Sequence, residues 1–302
     1  MSEAHTGGAS RKMKIVILGT GGRLGAALMR EYREKFEVTS FNHAQLDLAD
    51  HAQLREKLGS LDVDLMINAA AFTNVDLCET QREEAFGINA EAPRILAEIC
   101  HDKKAKLIHF STDYVFDGEK REPYTEEDEV RPISVYGESK RAGEKNVLAV
   151  QDRHLIVRVS WVFGPYRPSF IDAMIKRARE SDHLDAIADK SSTPTYTRDI
   201  AQALPRFFEI DVPGGILHFA NSGECTWQEY AQHTLDCCRS LGIPLKAKKV
   251  KPLRLSDMKN WMARRPVYSV LSTAKYTALT GSSPRSWRDA VADYVKSSYS
   301  KK

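Results

Sequence analysis

Short apolar runs that close on small or polar residues alternate with longer amphipathic stretches through the first half of the chain. Met13 to Leu18, Glu37 to Phe41, Asp64 to Asn68, Ala105 to Phe110 and His154 to Trp161 read as strands. Met13 to Leu18 is apolar and β-branched, and near-continuous apolarity marks a strand covered on both faces. The alanine-rich run from Ala26, the segment from about Ala52, Glu83 to Cys100 and Ser134 to Val150 read as the helices between them. Strand and helix in alternation predict an α/β fold with a doubly wound parallel sheet, because parallel neighbours need a helical crossover. After Pro165 the alternation breaks. Helices are expected over Ser169 to Glu180, Asp199 to Glu209, Trp227 to Leu241 and Ser286 to Lys296. A strand is expected at Gly215 to Ala220, while Ala186 to Asp189 leads into the loop Lys190 to Thr195.

The first strand runs straight into Gly19-Thr20-Gly21-Gly22-Arg23-Leu24-Gly25 and then a helix. That order is the context a dinucleotide fingerprint needs: glycines let the backbone approach a pyrophosphate, and the helix N-terminus offers free N–H groups. Residues 13–165 with about 199–222 are therefore expected to form a Rossmann-type dinucleotide-binding domain. Residues 166–198 and about 223–302 then form a smaller, interleaved C-terminal substrate domain, and residues 1–12 are a loose polar tail. The end of the second strand reads Phe41-Asn42-His43, with no acid for a ribose 2′-hydroxyl. Arg23 either meets a 2′-phosphate or is an exposed helix-start residue. The balance leans to NADPH, with NADH as the alternative. Asp47 either accepts from an adenine amino group or caps the next helix. Ala69 to Thr73 are small enough at a strand end for a flat cofactor to lie against them, or serve close helix–sheet packing. Asn89 inside a helix hints at a polar task, since Asn is a poor helix former; an exposed position is the plain alternative.

The strand Ala105 to Phe110 continues into Ser111-Thr112-Asp113-Tyr114 and closes at Asp117-Gly118. Polar residues at the carboxyl end of a central strand sit where open α/β sheets bind ligands. On the next predicted helix Tyr136 and Lys140 are four apart and share a face. A hydroxyl at a strand end with a Tyr-Lys pair nearby is the equipment for protonating a carbonyl while a hydride arrives. A free tyrosine has a pKa near 10. A neighbouring ammonium lowers it.

Composition narrows the classes. Lys and Arg number 44 against 41 Asp and Glu, for a net charge of +3, which gives no reason to expect a nucleic-acid partner. The five cysteines show no metal-type spacing and their number is odd, so reduced thiols and a cytoplasmic location are expected. No apolar run approaches membrane-span length, so no membrane is expected either.

With those motifs on the page, the chain resembles the extended short-chain dehydrogenases/reductases, through Gly19-x-x-Gly22-x-x-Gly25, Asp47-Leu48, Asn68-Ala69-Ala70 and Tyr136-x-x-x-Lys140. Within that superfamily it resembles the dTDP-4-dehydrorhamnose reductase family. The phrases are Asn68 to Asp76, Phe110 to Gly118, Val135 to Glu144, Arg158 to Gly164, and Ala263 to Pro266 followed by Ser269 and Leu271. The resemblance implies NAD(P)H-dependent reduction of the 4-keto group of a nucleotide-linked 6-deoxyhexose. Residue by residue it implies that Thr112 binds the sugar carbonyl, Tyr136 donates the proton, and Lys140 holds the nicotinamide ribose and lowers the pKa of Tyr136. Asp113 and Trp161 would contact the nucleotide-sugar. Gly19, Gly22, Arg23, Leu24, Gly25, Asn42, Asp47, Leu48, Ala70, Ala71, Phe72 and Thr73 would contact the cofactor.

Dehydratases of the superfamily carry Asp-Glu after the active-site threonine, whereas this chain has Asp113-Tyr114, so dehydration is disfavoured. An epimerase or reductase of another nucleotide-sugar shares the Tyr-Lys pair. The regulatory β subunit of methionine adenosyltransferase resembles the same family and binds a partner instead of catalysing. Two phrases depart from the family. Lys190 to Thr195 reads Lys-Ser-Ser-Thr-Pro-Thr, where a Gln usually opens the loop and a Gly precedes Pro-Thr; Tyr268 replaces an Asn. Both lie on the substrate side. Lys246, Lys248, Lys249, Arg264 and Arg265 are candidates for the diphosphate, or a solvated basic face. Some family members are said to dimerise through a metal, so a homodimer is admitted, but the sequence points to no metal ligands.

Overall fold

The computed structural model describes residues 11–209 and 214–300; the rest of the expected tail, residues 1–10, lies outside the described residues. The strands are β1 (Lys14–Leu18), β2 (Glu37–Phe41), β3 (Leu65–Asn68), β4 (Lys106–Thr112), β5 (Leu155–Val159), β6 (Val162–Phe163), β7 (Asp185–Ile187), β8 (Ser191–Ser192), β9 (Thr195–Tyr196), β10 (Gly215–His218), β11 (Cys225–Thr226) and β12 (Lys251–Leu253). The helices are α1 (Arg23–Tyr32), α2 (His51–Gly59), α3 (Val75–Thr80), α4 (Arg82–Phe86), α5 (Ala92–Asp102), α6 (Val135–Val150), α7 (Phe170–Glu180), α8 (Thr197–Ala203), α9 (Trp227–Ser240), α10 (Ala274–Thr280) and α11 (Trp287–Tyr299).

The expected parallel sheet is present, in the order β10-β5-β4-β3-β1-β2. Every pairing in it is parallel. Side chains alternate across it as the strand period demands. Ile15 and Ile17 pack with Leu28, Tyr32 and Ile200 on one face, while Val16 and Leu18 pack with Leu54, Leu96 and Ile99 on the other. Burial of each such side chain is worth roughly 1.5–3 kcal/mol, so both faces lock the sheet that carries the site. The chain turns from β1 outward to β2, then crosses to β3 on the other side of β1. That reversal opens a crevice at the carboxyl ends of β1 and β3.

Beyond Pro165 a second cluster forms around Phe163, Tyr196, Tyr230, Trp287 and Tyr294. β10 returns to the sheet beside β5. Tyr276 of α10, a helix the periodicity did not predict, packs its ring against Phe219 and Phe207 in the core of the sheet.

The expected single helix from Glu83 to Cys100 is interrupted. A π-helical turn, Gly87–Glu91, separates α4 from α5. The extra residue swings Asn89 inward, where it is fully buried.

Candidate active site

The glycine turn leads into α1 with Gly22 at its N-cap; no side chain caps that end, and its first turn holds no acid. The first backbone N–H groups of α1 thus lack an intrahelical partner. Gly19 sits at φ +84°, and a Cβ there would stand 2.7 Å from the Ala70 nitrogen. A Cβ on Gly25 would strike the Gly19 carbonyl. The turn is therefore pressed against the end of β3, and only glycine fits it.

Asn89 fixes the other wall. Its Oδ1 accepts from the Phe72 N–H at 2.9 Å, and its Nδ2 donates to the Phe72 carbonyl and the Ser139 hydroxyl, each at 3.0 Å. The polar task expected of Asn89 is thus to hold the Ala69–Thr73 backbone to α6.

Between these walls lies a cavity of about 840 Å³. It brings together Gly19, Gly22 and Leu24 of the turn, Asp47 and Leu48, and Ala70 to Thr73. At its far end stand Thr112, Asp113, Tyr136, Lys140 and Trp161. Gly25 does not line it, because it packs behind the turn. Asn42 does not line it either; its side chain accepts from Gln45 N–H and shapes the loop after β2. An open helix end, a glycine turn and a flat wall of small residues suit a dinucleotide.

The Arg23 guanidinium donates to the carbonyls of Val162, Arg167 and Pro168, at 3.1, 3.2 and 2.5 Å. It ties α1 to the segment beyond Pro165, and Arg23 also lines the cavity. Asp47 does not cap α2. Asp50 does, accepting from Gln53 N–H, while Asp47 accepts from Ala49 N–H. Lys246 donates to the Glu180 carbonyl, and Arg265 pairs with Asp76 at 2.7 Å. Neither they nor Lys248, Lys249 and Arg264 line the cavity.

The chemistry-bearing groups are deeply buried. Tyr136 lines the cavity with Thr112; burial pushes its phenol well above the ordinary value, against a smaller opposing effect of Thr112. Lys140 Nζ donates to the Phe110 carbonyl at 2.6 Å and lies 3.2 Å from His109 Nε2. Burial lowers Lys140 to about 8. Asp113 accepts from the hydroxyls of Thr112, Ser192 and Ser269. Burial still raises its carboxyl, against the opposing Lys190 charge. Trp161 has a left-handed backbone, φ 39°, which is costly for a bulky residue. Its buried indole N–H has no partner among the described residues, and its ring lines the cavity.

Three groups went unnoticed as site residues. His109 reads as one more core position of an apolar strand. Glu144 and Arg158 form a fully buried, two-bond ion pair beneath Tyr136 and Lys140. Lys190 was visible only as a departure in a phrase. It is fully buried, donates to the Pro266 carbonyl at 2.5 Å, and lies 5.3 Å from the Tyr114 ring centre. Among the described residues no group of three or more His, Cys, Asp or Glu could hold a metal ion, and no helix is long and apolar enough to cross a membrane.

The sequence profile of the RmlD substrate binding domain matches residues 13–300. The chain belongs to that family. It is 37% identical over 286 residues to the dTDP-4-dehydrorhamnose reductase of Mycolicibacterium smegmatis, covering 93% of this chain and 85% of that one. It is 34% identical over 284 residues to the spore coat polysaccharide biosynthesis protein SpsK of Bacillus subtilis, covering 94% and 97%. The crystal structure of dTDP-4-dehydrorhamnose reductase from Bacillus anthracis in complex with NADP superposes with a TM-score of 0.89 at 30% identity, over 95% of this chain and all of that one. The protein is an oxidoreductase of this family.

Proposed function

We propose that this chain reduces the 4-keto group of dTDP-4-dehydro-6-deoxy-L-mannose to dTDP-L-rhamnose, with NADPH as the reductant. The observation that carries the reading is a convergence: the glycine turn and open end of α1 share one cavity with Thr112, Tyr136 and Lys140. The names of the relatives, and the NADP in the Bacillus anthracis structure, support it.

In this reading Gly19, Gly22 and Leu24 hold the pyrophosphate end of the cofactor, Asp47 and Leu48 border its adenosine, and Ala70 to Thr73 lie along it. NADPH supplies a hydride to C4 of the sugar. Thr112 turns its hydroxyl from Asp113 to the sugar carbonyl oxygen. The Tyr136 O–H bond breaks as that oxygen gains its proton. A phenol raised by burial keeps its proton until a stronger base is presented, and the developing alkoxide is such a base. Lys140 holds the cofactor ribose, and its charge steadies the phenolate left on Tyr136. Asp113 and Trp161 contact the nucleotide-sugar. The division into residues 13–165 with about 199–222, and about 166–198 with 223–302, belongs to the same reading; the place of β10 in the main sheet supports it. A cytoplasmic location, on the scattered thiols, and a homodimer, on the family resemblance, belong to the same reading.

A second reading, another keto-sugar as substrate, is favoured by where the departures fall. Ser192 donates to Asp113, and the Lys190 charge acts on it. Tyr268 donates to Glu224 at 2.6 Å. The test is oxidation of NADPH and of NADH, followed by absorbance, with dTDP-4-dehydro-6-deoxy-L-mannose. Rapid oxidation of NADPH is expected. Turnover of a different nucleotide-linked ketose alone would favour the second reading. Cofactor binding without turnover of any ketose would overturn both, in favour of a binding role like that of the methionine adenosyltransferase β subunit.

A further inference from the structure

His109 of β4 is fully buried between Asn68 of β3 and Lys140 of α6. Its Nδ1 lies 3.1 Å from Asn68 Nδ2, and its Nε2 lies 3.2 Å from Lys140 Nζ. Hydrogen-bond logic fixes the protons. Asn68 Oδ1 accepts from the Ala70 N–H at 3.1 Å, which only an oxygen can do, so the amide turns its NH₂ toward the imidazole. Nδ1 must then accept. A neutral ring with an accepting Nδ1 carries its proton on Nε2, and Nε2 faces Lys140. An imidazole N–H opposite an ammonium sets donor against donor. Opposite a neutral amine it is a hydrogen bond, with the amine still donating to the Phe110 carbonyl.

We propose that His109 sets the alkaline limit of the reduction: locked by Asn68 as its Nε2–H tautomer, it presents a donor to Lys140 and weights that side chain toward the neutral amine as pH rises. The proposal rests on the reading of Lys140 as the working partner of Tyr136. The surroundings agree with it. Burial, with the Lys140 charge adding to it, drives His109 far below its ordinary value, so the ring stays neutral; burial also lowers Lys140 to about 8. On α6 itself Lys140 is flanked by Tyr136 and Glu144, and Glu144 favours the ammonium but is engaged by Arg158 of β5 and Arg141. Asp113, beyond Tyr136, and Cys78 of α3 act on the phenol. His109 is the group that presents a donor to Nζ.

The experiment uses the full chain saturated with NADP⁺ and labelled with ¹⁵N-histidine. His109 is assigned by its loss in His109→Phe or its displacement in Asn68→Asp. The long-range ¹H–¹⁵N spectrum should show His109 as the neutral Nε2–H tautomer, unchanged from about pH 6 to pH 9. An Nδ1–H tautomer, or titration in that range, would overturn the proposal. The second readout is the alkaline limb of kcat, which follows loss of the Lys140 ammonium. His109→Phe removes the opposing donor, and Asn68→Asp reverses the tautomer so that Nε2 accepts from Lys140. Both should move the limb upward by about half a unit to one unit, the size of one net hydrogen bond. A lower kcat with the limb unmoved in both variants would reduce His109 to packing. Absence of turnover with any ketose defeats the functional reading and leaves the tautomer measurement to decide this one.

Discussion

Lys140 Nζ lies 2.6 Å from the Phe110 carbonyl oxygen, two residues before Thr112 on the same strand. That bond pins α6 to the end of β4, and so sets Tyr136 against Thr112. The site is a joint between one strand and one helix, and its behaviour follows from what holds that joint.

Tyr136→Phe removes the proton donor and leaves the walls of the cavity in place. kcat should fall by roughly 10²–10⁴-fold, the usual worth of a positioned acid. NADPH affinity, measured by fluorescence titration, should change by no more than about threefold. Unchanged kcat would contradict the assigned role.

Glu144 and Arg158 are both wholly buried and joined by two bonds of 2.8 Å. Arg158→Met leaves the buried Glu144 carboxylate with only the single bond from Arg141. Denaturant unfolding should show a loss of about 3–5 kcal/mol. Glu144→Gln with Arg158→Met together should lose less than the sum of the two single changes.

The same pair sets an acid limit. Burial would raise Glu144, but the hydrogen bonds and charge of Arg158, with help from Arg141, hold it below the ordinary carboxylate value. A carboxyl lowered in the fold stabilises it above the unfolded pKa, about 4.3, and loses that contribution as pH falls through the folded value. The melting temperature should therefore drop below about pH 4, and Glu144→Gln should flatten that drop.

Asn89→Ala deprives the part-buried Phe72 N–H of its side-chain acceptor and leaves the Phe72 carbonyl with only the long contact from Cys78 Sγ. Unsatisfied buried groups cost about 1–3 kcal/mol each. Stability should fall by at least that much, and KM for NADPH should rise more than kcat falls, because the cofactor wall is loosened while Tyr136 keeps its place.

Arg23→Gln discriminates between two readings of one residue. Its donors go to the carbonyls of Val162, Arg167 and Pro168. The ratio of NADPH to NADH affinities should change by no more than about threefold, while thermal stability drops. A selective loss of NADPH affinity would assign Arg23 to the phosphate.

The sequence made the sheet legible because buried parallel strands are apolar throughout and the helices between them are periodic. It made Thr112, Tyr136 and Lys140 legible because polar residues at a strand end and a four-residue spacing have few other uses. What it hid depends on direction and partner. Arg23 and Asp47 were visible as types, but the atoms they meet come from elsewhere in the chain or from a neighbouring backbone. Asn89 announced a polar task, yet the π turn that delivers it leaves no periodic mark over five residues. His109 sits in an apolar run, and only the Asn68 amide gives its proton a direction. Lys190 stood out by departing from a phrase; its burial beside Asp113 needed the fold.

The most direct measurement is the transfer of label. Wild-type protein would be given NADPH deuterated at C4 of the nicotinamide and dTDP-4-dehydro-6-deoxy-L-mannose, and the isolated sugar examined by mass spectrometry and NMR. The account predicts one deuterium, at C4 of the rhamnose unit, from one face of the cofactor, and none with Tyr136→Phe on the same time scale. An unlabelled product, or a ketose returned unchanged by a protein that binds the cofactor, would contradict it.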